Sequence, residues 1–286
     1  MKAGVIGLGA MGAPMALNLH RRGFLAGVWN RTAGKSESLA MDTGVACAAT
    51  PAVLADMVDV LVISVSRDPD LRAVIAACLP GLRAGTVIVD TSTVSAGTAR
   101  DLCASLGAHG VDFLDCPVSG GVEGARRGTL AMMAGGNEPA LARVRDALGA
   151  IAATVVHMGP SGSGQLTKAV NQIMAAGINQ AVSEALAFGA EFGLDMGKVI
   201  DVVGQGAAAN WFLTHRGRSM TEGRYTPGFK VSLHHKDLLI CQAMAHGKTL
   251  PIVELTLAHY ARLMVQGHGD EDISALYRIK REAVSG

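Results

Sequence analysis

Short apolar runs alternate with longer alanine-rich stretches through the first half of the chain, and the alternation stops near residue 160. The runs are Gly4–Ile6, Ala26–Trp29, Val60–Val65, Thr86–Asp90, Val111–Asp115, Leu130–Ala134 and Thr154–His157. They are β-branched and almost wholly apolar, as strands covered on both faces must be. Stretches such as Asp70–Leu79 and Ala96–Leu106 between them predict helices. The pattern predicts an α/β fold with a doubly wound, mostly parallel sheet. At Gly159-Pro160-Ser161-Gly162-Ser163-Gly164 the strand signals end. From Gln165 to about Phe192 the sequence predicts one helix, roughly 40 Å long if continuous. Further helices are expected at Asp195–Val203, Val231–Ala245, Ile252–Gln266 and Ile273–Ala283. The expected organisation is a sheet domain over residues 1–161 and an all-helical domain over residues 162–286, joined by the long helix.

The first strand runs directly into Gly7-Leu8-Gly9-Ala10-Met11-Gly12, and a helix follows. Strand, glycine turn and helix in this order are the context in which G-x-G-x-x-G binds a dinucleotide. Gly7 permits the tight turn, Gly9 lets backbone approach a pyrophosphate, and Gly12 lets helix and strand pack closely. The helix start then offers N–H groups and a positive dipole end to the phosphates. The second strand ends in Asn30-Arg31-Thr32, where a carboxylate would hold the adenosine ribose hydroxyls of NAD(H). A guanidinium fork and a hydroxyl suit a 2′-phosphate instead, so NADP(H) is expected over NAD(H).

Composition narrows the remaining classes. Of 286 residues, 49% are hydrophobic and 17% charged, with a net charge of +1, so no basic field for nucleic acid exists. No apolar run is long enough to span a bilayer. The chain opens Met-Lys and enters its first strand at once, leaving no room for a signal peptide. Cytoplasmic residence is therefore expected. The five cysteines form no C-x-x-C pair and are odd in number, which fits a reducing compartment. His234-His235 lacks a third ligand at a sensible spacing, so no metal is expected. High apolar content with few charges points to a homo-oligomer that buries helical faces.

Ligands of open α/β sheets sit beyond the carboxyl ends of the strands. Polar or glycine-rich segments follow such ends at Ser64-Val65-Ser66, Asp90-Thr91-Ser92-Thr93 and Asp115-Cys116-Pro117-Val118-Ser119-Gly120-Gly121. The last can turn consecutive backbone N–H groups and the Ser119 hydroxyl toward a carboxylate. In the long helix, Lys168, Asn171 and Gln172 share one face of an otherwise apolar segment. Polar groups there are costly unless they serve a site, and a lysine can protonate the alkoxide that hydride reduction of a carbonyl makes. Lys236-Asp237 follows Thr226-Pro227-Gly228-Phe229; on spacing alone such a pair is solvated surface charge.

Four ordered segments together resemble the β-hydroxyacid dehydrogenase family, which includes 3-hydroxyisobutyrate dehydrogenase and tartronate semialdehyde reductase. They are the glycine turn; Asp115–Gly121 with Gly128-Thr129-Leu130; Gly162–Gln172; and Lys236-Asp237-Leu238. The resemblance implies an NAD(P)-dependent oxidoreductase, with Lys168 as the catalytic lysine and Asn171 beside it. It implies that Ser119, Gly120 and Gly121 hold a small carboxylate substrate, with Gln172, Phe229 and Asp237 near it. Gly7, Leu8, Gly9, Ala10, Met11, Gly12, Asn30, Arg31, Thr32, Val65, Ser66, Thr93 and Lys236 are implied to face the cofactor. A dimer or tetramer joined through the helical domain is implied as well. The stretch from Tyr225 to Leu238 and the segment from Gly267 to Leu276 are more similar to tartronate semialdehyde reductases, whereas Asn30-Arg31-Thr32 resembles the glyoxylate and succinic semialdehyde reductases. Tartronate semialdehyde is the expected substrate, and 3-hydroxyisobutyrate, glyoxylate and succinic semialdehyde remain open. Imine reductases share the architecture but usually lack the lysine, and the same lysine stands against a non-catalytic NADPH-binding scaffold.

Overall fold

A computed structural model describes residues 1–284; the last two residues of the expected helical domain, 285 and 286, lie outside the described residues. The chain divides into two compact units, Met1–Lys168 and the part from Ala169 onward.

The first unit holds nine strands: β1 (Ala3–Ile6), β2 (Leu25–Trp29), β3 (Ala46–Cys47), β4 (Val60–Ile63), β5 (Val87–Asp90), β6 (Asp112–Asp115), β7 (Val118–Ser119), β8 (Leu130–Gly135) and β9 (Ala152–Gly159). Seven helices accompany them: α1 (Gly12–Arg21), α2 (Ala33–Thr43), α3 (Pro51–Met57), α4 (Asp68–Cys78), α5 (Ala96–Gly107), α6 (Gly121–Arg127) and α7 (Glu138–Leu148). The sheet order is β3-β2-β1-β4-β5-β6-β8, with β7 and β9 also paired to β8. From β3 to β6 every pairing is parallel. Side chains alternate between two apolar clusters, one per face: Val60, Val62, Val87 and Val89 in one, Leu61, Ile63, Ile88 and Phe113 in the other. Coverage on both faces is why these strands lack polar positions.

The sheet departs from the parallel pattern at β8, which runs antiparallel to β6 and β7. Only residues 120–129 connect β7 to β8, whereas a parallel crossover needs about a dozen or more. The pairs Asp115↔Gly135, Val118↔Met132 and Ser119↔Ala131, with the Met133 N–H donating to Pro117 O at 3.1 Å, keep one register. The segment from Asp115 to Ser119 is thus pinned along one edge of β8.

Helix α8 (Ser163–Glu191) is unbroken over 29 residues, about 43 Å at 1.5 Å per residue, and its first turn and a half belongs to the first unit. The second unit continues with α9 (Met196–Val203), α10 (Trp211–Thr221), α11 (Val231–Met244), α12 (Pro251–Val265) and α13 (Leu276–Val284). Ala176, Leu186, Leu238, Tyr260, Leu263 and Leu276 lie in its core. Helix α10 falls where no helix is expected from the sequence. Its apolar residues, Trp211, Phe212, Leu213 and Met220, are separated by a polar middle, and its packing uses Gly217, at which a Cβ would stand 3.1 Å from Ile200 Cδ1 of α9. Among the described residues no helix is long and apolar enough to cross a membrane.

Candidate active site

The carboxyl ends of four neighbouring strands lie in one row, with Ile6 paired to Ile63, Ile63 to Asp90 and Asp90 to Asp115. Gly7–Gly12, Val65, Ser66, Thr93 and Ser119–Gly121 follow from this row, while Asn30–Thr32 follow the end of neighbouring β2 and Lys168 comes from α8. Gly7 has φ +91°, and a Cβ there would stand 2.1 Å from Ser64 O. A Cβ on Gly12 would stand 1.8 Å from Gly7 O, whereas one on Gly9 would meet nothing within 4 Å. Two glycines therefore close the turn and the third faces open space at the start of α1, the arrangement a dinucleotide diphosphate requires. The Asn30 side chain accepts from the Leu8 N–H at 2.8 Å and donates to Thr32 O at 2.9 Å, so Asn30 braces the turn. The Arg31 side chain is 86% exposed and lies 3.3 Å from Asp70. The residues present fit NAD or NADP.

Val65, Ser66 and Thr93 follow the ends of β4 and β5. The Val65 N–H donates to Ser92 Oγ at 2.9 Å, and Ser92 N–H donates to Asp90 Oδ1 at 3.0 Å. Gln165 of α8 secures the same loop, its Oε1 accepting from Val94 N–H and its Nε2 donating to Ser92 O. Two buried carboxylates underlie this corner. Asp115 accepts from the Gly162 and Gln165 N–H groups at 2.8 and 3.0 Å and so anchors the start of α8. Burial raises its pKa against those bonds. Asp90 is fully buried, and burial pushes its pKa up to about 7; its Ser92 bonds oppose the shift, and Asp115 and Asp68 add to it. Neither Gln165 nor the structural use of the two aspartates is recognised from the sequence, although aspartates at strand ends are a visible signal.

Gly120 and Gly121 have φ +125° and +61°, a backbone that side chains other than glycine rarely adopt. Lys168 is buried, 7% exposed, and its Nζ donates to Val118 O at 2.9 Å. The fold thus brings the lysine against the Val118-Ser119-Gly120-Gly121 segment, fifty residues away in sequence.

In the second unit, the side chains after Lys168 on α8 meet α11. Asn171 Nδ2 donates to Gln172 Oε1 at 2.8 Å, and Gln172 Nε2 donates to Asp237 Oδ2 at 2.6 Å. Lys236 Nζ stands 2.8 Å from Asp237 Oδ1. Asp237 is only 4% exposed, so the pair is not a solvated surface charge. His234 is fully buried; its Nε2 is 3.2 Å from Gln172 O and its Nδ1 is 3.0 Å from the Tyr260 hydroxyl. Phe229 packs against His234 with ring centroids 5.3 Å apart. The N–H groups of Gly228 and Phe229 both donate to buried Asp272, which also pairs with Arg216. Asp272 also caps the short turn that follows it, accepting from the Ser274 N–H at 3.1 Å, but its partners Gly228, Phe229 and Arg216 lie over forty residues away and cannot be read from the local sequence. Among the described residues no group of three or more His, Cys, Asp or Glu side chains could hold a metal ion.

A glycine turn of dinucleotide-binding form at the carboxyl end of a parallel sheet and a buried lysine beside a two-glycine turn are the marks of an NAD(P)-dependent oxidoreductase acting on hydroxyl groups. Residues 2–159 match the family model described as the NAD binding domain of 6-phosphogluconate dehydrogenase, and residues 162–280 the one described as NAD-binding of NADP-dependent 3-hydroxyisobutyrate dehydrogenase. The 2-hydroxy-3-oxopropionate reductase of Escherichia coli is 34% identical over 281 residues, 96% of either chain. An uncharacterised oxidoreductase of Shewanella frigidimarina is 38% identical over 280 residues, again 96% of either chain. The structure of Mycobacterium tuberculosis 3-hydroxyisobutyrate dehydrogenase with L-serine superposes with a TM-score of 0.87 at 32% identity, covering 98% of this chain and 99% of that one. The chain belongs to the β-hydroxyacid dehydrogenase family.

Proposed function

We propose that this enzyme is an NADP(H)-dependent reductase of short semialdehyde acids, with tartronate semialdehyde (2-hydroxy-3-oxopropionate) as its substrate, working in both directions. The observation that carries the reading is buried Lys168, 2.9 Å from Val118 O and next to the Ser119-Gly120-Gly121 turn. That turn is proposed to hold the substrate carboxylate through the Ser119 hydroxyl and the backbone N–H groups. Lys168 then protonates the alkoxide oxygen formed on the substrate, and Asn171 helps to orient the reacting group. A charged lysine also stabilises the developing oxyanion before the proton moves. The bound nicotinamide supplies the hydride. Thr93, Val65, Ser66 and Lys236 are proposed to face the cofactor.

The name of the Escherichia coli relative favours tartronate semialdehyde. Arg31 favours NADP(H): its ion pair with Asp70 is exposed, and such pairs contribute at most about 1 kcal/mol, so the guanidinium can leave it for a 2′-phosphate. The helical part from residue 162 is proposed to carry oligomerisation as a homodimer or homotetramer. Val170, Met174 and Phe188 of α8, with Phe192 just after it, are more than half exposed and offer an apolar surface for it. Cytoplasmic residence completes the proposal; no disulfide joins the cysteines among the described residues.

Initial rates with tartronate, methylmalonate and succinic semialdehydes and with glyoxylate, each with NADPH and NADH, test the reading. A preference for tartronate semialdehyde with NADPH supports it. Preference for another member of the panel moves the substrate, and uniformly slow rates on all four overturn the semialdehyde assignment.

A further inference from the structure

The polar chain of the second unit has a direction. A carboxylate can only accept hydrogen bonds, whereas a side-chain amide has one donating and one accepting end. Asp237 is buried and its carboxylate pairs with the Lys236 ammonium, so Gln172 must turn its NH2 to Asp237 Oδ2, at 2.6 Å. That leaves Gln172 Oε1 toward Asn171, which must answer with its own NH2, at 2.8 Å. The Asn171 carbonyl oxygen is therefore turned away from Gln172 as an acceptor. His234 and Phe229 brace the same rung of α8, His234 through the Gln172 carbonyl at 3.2 Å.

We infer that Asp237 is a positioning residue: acting through Gln172, it sets Asn171 to present a carbonyl oxygen, not an amide NH2, to the reacting group. This inference rests on the proposed catalytic use of Lys168 and Asn171. An acceptor at Asn171 suits an ammonium or hydroxyl donor, the two donors that a lysine-assisted carbonyl reduction contains. A donor there would face a donor and would push the proton-delivering group out of line. Asp237 itself has Oδ2 engaged by Gln172 and Oδ1 by Lys236.

The test moves the carboxylate one step along the chain. Asp237→Asn makes the direction ambiguous, because an amide at position 237 can offer either end to Gln172. In Asp237→Asn/Gln172→Glu, the carboxylate at position 172 accepts from both neighbouring amides, and Asn171 keeps its original orientation. Gln172→Glu alone places two carboxylates face to face, and only a shared proton relieves them. Each full-length variant is assayed with tartronate semialdehyde and NADPH for kcat, KM and pH profile, with NADPH affinity by fluorescence titration and melting temperature alongside. Asp237→Asn is expected to lower kcat by about ten-fold or more while KM moves by less than about three-fold, the signature of lost alignment. The double variant is expected to regain most of that kcat, and Gln172→Glu to shift its activity toward lower pH. An unchanged kcat in Asp237→Asn, a double variant no better than the single, or a loss confined to KM would each overturn the inference. If Asp237→Asn melts early, the Gln172→Glu pH profile decides, and an unshifted profile overturns the inference. Lys168→Met separates the two levels. If it retains kcat, the parent reading fails; if it loses kcat while Asp237→Asn does not, only the positioning role fails.

Discussion

Two buried side chains concentrate the consequences at the scale of single residues. Asp90 holds its proton to about pH 7 in the fold, while an exposed aspartate loses it near 3.8. Between those values the folded state binds the proton and the unfolded chain has released it, so stability falls as pH rises through this window. It is fully present below the unfolded pKa and levels off above the folded one. Its Oδ2 has no hydrogen-bond partner among the described residues, which adds to the cost of ionising it. Asp115, also raised, acts in the same direction. Asp90→Asn carries no charge at any pH; melting temperatures from pH 5 to 8 should fall less in the variant than in the wild type, and parallel curves would refute the assignment. Lys168 is the other case. Lys168→Ala should reduce turnover by about a thousand-fold, within the range of a lost general acid, while NADPH affinity by fluorescence titration stays close to that of the wild type.

Among the elements, α10 shows what packing demands of sequence. A Cβ at Gly217 would stand 3.1 Å from Ile200, so Gly217→Val should separate α9 and α10. The cost in urea unfolding should be about 1–3 kcal/mol, as overpacking gives. Gly217→Ala adds a single methyl and offsets most of its clash by better helix propensity. The same helix explains where the sequence is opaque. Its start carries a visible cap, Asn210 accepting from Leu213 N–H at 2.8 Å, yet the middle of its buried face is a glycine among polar residues, so the helical spacing of Leu213, Gly217 and Met220 leaves little apolar signal. By contrast, the central apolar strands announce themselves because burial on both faces leaves a continuous signal, and α8 because 29 residues pass without a proline or a strand-like run. Strand β7 is two residues long and the reversal at β8 depends on the length of a connection, so neither has a periodic signature. The same division holds in the site. The glycine turn and the Lys168-Asn171-Gln172 face are local patterns and are legible. The contact of Gln172 with Asp237 spans 65 residues, and the support of Phe229 by Asp272 spans 43; long-range pairings of this kind arise only when the chain is folded.

For the whole molecule, the near-neutral balance of 25 basic and 24 acidic residues leaves little charge repulsion between copies. The second unit meanwhile exposes Val170, Met174, Phe188, Phe192, Leu194 and Val202, each above half of its surface. Scattered apolar residues are ordinary on a surface, but Val170 and Met174 lie one turn apart on the same face of α8. Light scattering of the purified protein should therefore give a mass of two or four chains, and Val170→Glu/Met174→Glu should lower it. A wild-type mass of 29.4 kDa, one chain, would remove the oligomer from the proposal.

The three glycines of the nucleotide turn would look equally invariant among descendants of this gene, yet different agents keep them. Gly7 and Gly12 are held by the protein's own backbone, so any side chain there harms folding. Gly9 faces empty space, and under the proposed function it is the bound dinucleotide that holds it. A mutational scan with separate reporters for abundance and turnover should split them: Gly9→Ala accumulates normally and works poorly, whereas Gly7→Ala and Gly12→Ala fail in both. A lineage that stopped using its dinucleotide would then lose Gly9 first, and that position is where the history of the activity would be written.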